Sequence, residues 1–165
     1  FDLINEYGAD AVRYYLLREI TPFDDGDITL EKFKEAYNAN LANGLGNLTS
    51  RIMKMAETYL SNEERVMRNG ELSEDYKKFM DNFELSKAMD LIWEKISELD
   101  SKIQETKPFK LVKTDEKKTK EILIKLVEGL HIIAEMLAPF LPKTSEKILA
   151  AIKNNKMPEP LFLRK

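Results

Sequence analysis

Phe33, Tyr37, Leu41, Leu45, Leu48, Ile52, Met55 and Tyr59 recur at steps of three and four along the chain. That spacing keeps an apolar stripe on one side of an α-helix for roughly eight turns of about 3.6 residues each. A stripe of this length has to be covered by other helices, so the pattern restricts the chain to a fold in which helix packs on helix. Thr29 reads as the N-cap, with Ile28 and Phe33 at the two positions of a hydrophobic staple. The spacing predicts a helix from about Leu30 to about Tyr59 at the centre of the fold. Gly44 and Gly46 fall inside it. Each costs about 1 kcal/mol relative to Ala, which close packing, a bend or the approach of a partner would justify.

The rest of the chain reads the same way. Phe1 to Tyr7 is a short amphipathic piece closed by Gly8, and Ala9 to Ile20 carries Val12, Tyr15, Leu16 and Glu19 at helical spacing. Thr21 to Asp27 is rich in turn residues, and Ser61 to Gly70 is a polar connector. Ser73 caps a short helix ending near Asn82. Leu85, Met89, Ile92, Ile96, Leu99 and Ile103 form a narrow seam that Pro108 ends near Thr106. Thr114 is the expected cap of the next helix, whose face is Ile122, Leu126, Leu130, Ile133 and Leu137. Pro139 and Pro142 separate it from a last helix around Ser145 to Lys153, and Pro158 and Pro160 make the tail extended. No β-alternation competes, so the expected fold class is all-α, a helix bundle of 165 residues, within the span of a single domain.

Composition excludes several functions. With 26 basic and 29 acidic side chains the net charge is -3, so RNA binding would need a local patch. The absence of Cys removes disulfides and thiolate metal sites and fits a reducing cytoplasm, the expected location. No apolar stretch is long enough to span a bilayer, so no membrane partner is expected. His131, the single His, sits in an apolar helical pattern without a partner for a triad or metal pair, and packing is its simplest role. Asp24, Asp25 and Asp27 with Glu35 imitate part of an EF-hand, but Gly26 is misplaced and the staple puts a helix there. No catalytic residue and no metal ligand is expected. A chain opening on Phe1 is expected to be a piece of a longer protein or a processed form of one.

Two features point toward nucleic acid. Asn40, Asn43, Asn47 and Arg51 step by three, four and four residues, so an α-helix would align them beside the apolar face. Asn pairs donor with acceptor as base edges do, and Arg can hydrogen-bond to or stack on a base. Phe109 follows Pro108 between Lys107 and Lys110, and from Lys107 to Lys120 six Lys, Lys113 among them, face only Asp115 and Glu116. A basic segment with a loop aromatic can meet a phosphate backbone and an unstacked base together. The alternatives are a hydrated or interhelical stripe and a Phe109 that plugs the end of the bundle.

A resemblance covers nearly the whole chain. Glu6 to Glu19 looks like the segment after the Lys-Met-Ser-Lys-Ser loop of class I aminoacyl-tRNA synthetases. Asp24-Asp25-Gly26-Asp27 followed by Tyr37 to Arg51 resembles the methionyl-tRNA synthetase family more narrowly. Ala88 to Trp93, Lys107 to Leu111 and Leu137 to Pro142 then recur in the order that family shows. The resemblance implies a helix bundle of the class I anticodon-binding type, with residues 1–28 connective and 29–165 the anticodon-binding domain. It implies recognition of the CAU anticodon by Asn47 and Arg51, with Phe109 stacking on a base where the family usually has Trp. Asn40, Asn43, Lys107, Lys110 and Lys113 are further candidates for tRNA contact. Implied partners are initiator and elongator tRNA-Met and the family's catalytic domain. The adenylating signatures are missing, so this chain is not expected to be an enzyme. ATP, and zinc where a knuckle is present, belong to the missing catalytic domain. The corresponding domain of another class I synthetase and a helical protein-interaction scaffold are the rivals.

Overall fold

A computed structural model describes residues 2–20, 29–61 and 71–165. The turn expected from Thr21 to Asp27, with its acidic cluster, and all of the polar connector but Ser61 lie outside them. Every regular element described is helical.

The chain opens with α1 (Asp2–Tyr7) and α2 (Ala9–Tyr14), which runs into a π turn, Tyr15–Glu19. Thr29 caps α3 (Leu30–Ala36), accepting from Lys32 N at 3.2 Å. The helix passes without a break through a π segment, Tyr37–Gly46, into α4 (Asn47–Tyr59), so one rod spans the length expected of it. Ser73 caps α5 (Glu74–Asp81), accepting from Tyr76 N at 3.3 Å. Then come α6 (Leu85–Thr106), the single turn α7 (Pro108–Leu111), α8 (Glu116–Leu137) and α9 (Pro142–Asn154). Pro142 occupies the first turn of α9, where a missing N–H costs nothing, so this helix begins earlier than expected. The cap of α8 also shifts by one residue. Asp115 accepts from Lys118 N at 2.9 Å, whereas Thr114 Oγ1 donates back to the Leu111 carbonyl.

The core lies where α4, α6 and α9 close around α8. Met89, Ile92, Ile96, Leu99 and Ile103 of the α6 seam are buried, facing Leu123, Leu126, Leu130 and Ile133 of α8. Gly129 allows α8 close to α6, because a Cβ there would meet Leu99 Cδ2 at 2.7 Å. The rod's apolar face departs from the expectation after Ile52. Met55 and Tyr59 are half-buried, and Met53, Ala56 and Leu60 carry the burial instead.

The opening segment belongs to the same core. Tyr7 and Tyr15 set their rings edge-on to Phe33, with centroids 4.9 and 5.0 Å apart. The buried Asp10 carboxylate accepts from Thr144 N at 2.7 Å and Thr144 Oγ1 at 2.8 Å. Arg13 donates to the carbonyls of Phe140 at 2.6 Å and Pro139 at 2.9 Å. These bonds fasten α2 to the turn between α8 and α9.

Candidate nucleic-acid interface

The π segment alters the stripe read from the sequence. Its i→i+5 bonding puts more residues in each turn than an α-helix does, so the three-residue step from Asn40 to Asn43 falls well short of a turn. Four-residue steps still return to nearly the same side, which keeps Asn43, Asn47 and Arg51 together. Asn40 separates from them. Its amide donates to Glu19 Oε1 at 3.4 Å, on the π turn that follows α2.

Arg51 faces α6. Its guanidinium donates through one terminal nitrogen to Asp100 Oδ1, both side chains being about one-third exposed. The other oxygen of Asp100 accepts from Gln104 Nε2 at 2.6 Å. Neither Asp100 nor Gln104 stands out in the sequence, although their four-residue spacing on the exposed side of the α6 seam is the signal that could have found them. Asn47 lies one turn before Arg51 and, like Asn43, is exposed.

Asp100 precedes the end of α6 by six residues, about 9 Å of helix rise. At that end Lys107 adopts the left-handed conformation, φ 44°, with its N–H on the Ile103 carbonyl at 2.9 Å. Pro108 is buried and starts α7, and Phe109 beside it is 47 % exposed. Phe109 therefore does not plug the bundle; Pro108 fills that position and leaves the ring in solvent. Lys107, Lys110 and Lys113 are exposed around it. Farther along, Lys120 is partly neutralised by Glu116 at 3.1 Å.

Before Asp100, one face of α6 carries carboxylates. A groove of about 650 Å³ lies against Arg18, Asn40 and Trp93, with Asp90, Glu94 and Glu98 on its wall. Arg18 stacks on Trp93, 5.0 Å from its centroid, and pairs with Asp90 at 3.2 Å. Three carboxylates beside one bound guanidinium repel phosphate, whereas the exposed Lys107, Lys110 and Lys113 that follow α6 attract it. Trp93 is buried against Tyr14, ring centroids 4.7 Å apart, and presents no face to a base. His131 is buried on α8 with Nδ1 3.9 Å from Glu135 Oε2. Among the described residues no three His, Cys, Asp or Glu side chains converge on a point where a metal could sit, and no helix is long and apolar enough to cross a membrane.

Comparison with known proteins gives two adjoining family matches. Residues 1–53 match tRNA synthetases class I (M), and residues 54–161 match the anticodon binding domain of methionyl tRNA ligase. The methionine–tRNA ligase of Fusobacterium nucleatum is 37 % identical over 163 residues, covering 90 % of this chain and 26 % of that protein. The enzyme of Clostridium acetobutylicum is 40 % identical over 164 residues, covering 88 % of this chain and 25 % of its own length. The chain thus spans about a quarter of the curated relatives it matches. In fold it is similar to the free-state crystal structure of Mycobacterium tuberculosis methionyl-tRNA synthetase, with a TM-score of 0.80 at 23 % identity, covering 99 % of this chain and 40 % of that one.

Proposed function

We propose, on the premise that this chain belongs to the methionyl-tRNA ligase family, that it reads the CAU anticodon of tRNA-Met, both initiator and elongator, for an enzyme that joins methionine to tRNA. The supporting observation is the end of α6. Asp100, about 9 Å of helix rise before that end, holds Arg51, with Asn47 one turn before it on α4, and α6 leads into an exposed Phe109 among Lys107, Lys110 and Lys113. Such a site combines base-edge donors and acceptors, a stacking surface and cations for phosphate, which is what recognition of an unstacked RNA loop requires. Phe keeps a π-face where the family usually has Trp, with less area and no N–H donor, so stacking persists in weaker form.

Residues 1–28 act in this proposal as the connective segment and 29–165 as the anticodon-binding domain. Asp10, Arg13 and Tyr7 fix the described part of that connector to the bundle, which suits a segment that keeps the anticodon site at a set position relative to a catalytic domain. Catalysis, ATP and any zinc are assigned to the remaining length of the relatives. The chain alone should therefore give no methionine-dependent pyrophosphate exchange, and exchange above a buffer control would overturn that division. The direct test of the function is titration with anticodon stem-loops that differ only in the anticodon. CAU should bind tighter than its one-base variants. Equal binding would favour a scaffold, and preference for another anticodon would favour another class I synthetase.

A further inference from the structure

The last residues of the chain return along the rod. After α9, Asn155 takes the left-handed conformation, φ 48°, and its amide donates to the Leu60 carbonyl at 2.8 Å. Met157 N then reaches Glu57 Oε2 at 3.3 Å, so the tail sets off beside the C-terminal end of the long helix. At its far end the Tyr37 hydroxyl donates to the Leu163 carbonyl at 2.8 Å. The Asn38 amide makes two bonds with the backbone of Lys165, from Nδ2 to the carbonyl at 2.7 Å and from the Lys165 N–H to Oδ1 at 3.0 Å. Phe162 stands edge-on to Tyr37, centroids 5.9 Å apart. Phe162 also lies against Gly46, where an added Cβ would be 3.8 Å from its ring and 3.0 Å from the Leu41 carbonyl.

Tyr37 and Gly46 are the first and last residues of the π segment. The tail therefore bridges the two ends of the one stretch of the rod whose bonding is intrinsically disfavoured, since π-helix is rare and mostly confined to single turns. Loss of one extra residue from that segment would rotate everything after it by about 100° relative to α3. Asn43 lies inside the segment and Asn47 is the first residue beyond it. We propose that the C-terminal strap, through Tyr37, Asn38 and Phe162, is a positioning element that holds the π register and so sets the direction in which Asn43 and Asn47 leave the helix. The link to base reading rests on the anticodon function proposed above; the hold on the register does not.

The test uses the whole chain with Asn38→Ala, Phe162→Ala and the conservative Phe162→Leu, and makes two measurements on each. Amide hydrogen exchange is followed at residues 41–47 without RNA, with α8 as internal reference, and CAU preference is measured with stem-loops differing in one base. Asn38→Ala and Phe162→Ala should each speed exchange at 41–47 about tenfold, with α8 unchanged, and lower the CAU preference by a similar factor. Phe162→Leu should restore both. Unchanged exchange at 41–47 overturns the strap. Faster exchange with CAU preference intact overturns its positioning role. A wild-type chain with no CAU preference overturns the anticodon function and the positioning role together, and exchange alone then decides whether the strap holds the register.

Discussion

Asp100 is held from two sides, receiving the Arg51 guanidinium on one oxygen and Gln104 Nε2 on the other at 2.6 Å. Arg51 is thereby oriented by α6 and not by its own rotamer preference alone. Because both partners of the ion pair are about one-third exposed, it adds little to stability, about 0–1 kcal/mol by the usual range for such pairs. Its consequence lies in geometry and charge. Asp100→Ala should move the melting temperature only slightly and lower the ratio of CAU to variant affinity. The same change removes a carboxylate near the RNA, so affinity for every stem-loop should rise at low salt. A loss of stability above ~2 kcal/mol would show that the pair is structural instead.

The lysines around Phe109 should behave differently from Arg51. Lys107, Lys110 and Lys113 are exposed and, as phosphate ligands, carry no sequence information. Replacing any of them by Gln should weaken all stem-loops alike and make the log–log dependence of affinity on salt shallower, by about one unit for each phosphate that is no longer neutralised. A selective loss for CAU would assign that lysine to a base.

The helices are legible in the sequence because their faces are built on spacing that any α-helix obeys, as with Met89, Ile92, Ile96, Leu99 and Ile103 on α6. The π segment is harder to see, although Phe33, Tyr37, Leu41 and Leu45 hold its trace. Three consecutive steps of four would wind the stripe about 120° around an α-helix, yet all four residues are buried. An unbroken α-helical period puts Asn40 in line with Asn47 and keeps Met55 and Tyr59 on the buried face; the change of period undoes both. Asp100 and Gln104 escape a sequence reading for another reason. Polar residues on a solvated helix face look alike until a partner helix supplies an Arg.

Tyr76 gives a prediction about stability. Its ring is buried, its hydroxyl donates to the Met136 carbonyl at 2.7 Å, and burial pushes its ionisation up to about 12 from 10.0. A value raised in the fold means that the neutral phenol is favoured there, so its contribution is complete below pH ~10 and disappears as pH climbs through 12. Tyr76→Phe should cost about 1 kcal/mol at neutral pH. The variant should also lose less stability than wild type between pH 10 and 12, as followed by urea unfolding across that window. Parallel losses would mean that other groups dominate the alkaline transition.

Phe109 tests the stacking role without disturbing the turn. Pro108 is buried and starts α7, while the ring beside it is half in solvent, so changes at Phe109 should leave the melting temperature near its original value. Phe109→Ala should weaken CAU binding by about 1–3 kcal/mol, the range for one stacked base, and Phe109→Trp should keep or tighten it. Equal affinity of all three in stem-loop titrations would remove the ring from the interface.

Asn47→Ala and Arg51→Ala bear most directly on base reading. They stand four residues apart in α4, just over one turn, so their tips can address the same or adjacent bases. Each should weaken CAU binding by roughly 1–3 kcal/mol, the discrimination given by a good base-edge hydrogen-bonding pair. Asn47 is exposed, so its removal should leave stability near wild type. Arg51→Ala is less clean, because it also leaves Asp100 with only Gln104 and changes the charge of the site. Arg51→Lys is the control: it keeps the charge but loses the planar fork. If base recognition needs the fork, Arg51→Lys should retain general RNA affinity and lose CAU preference, whereas a purely electrostatic Arg51 would leave the preference untouched. Titrating CAU and a one-base variant against both substitutions, with thermal melts alongside, separates the cases. If CAU preference survives in Arg51→Ala, or falls only as far as the fold does, the face shared by α4 and α6 is structural and the anticodon is read elsewhere.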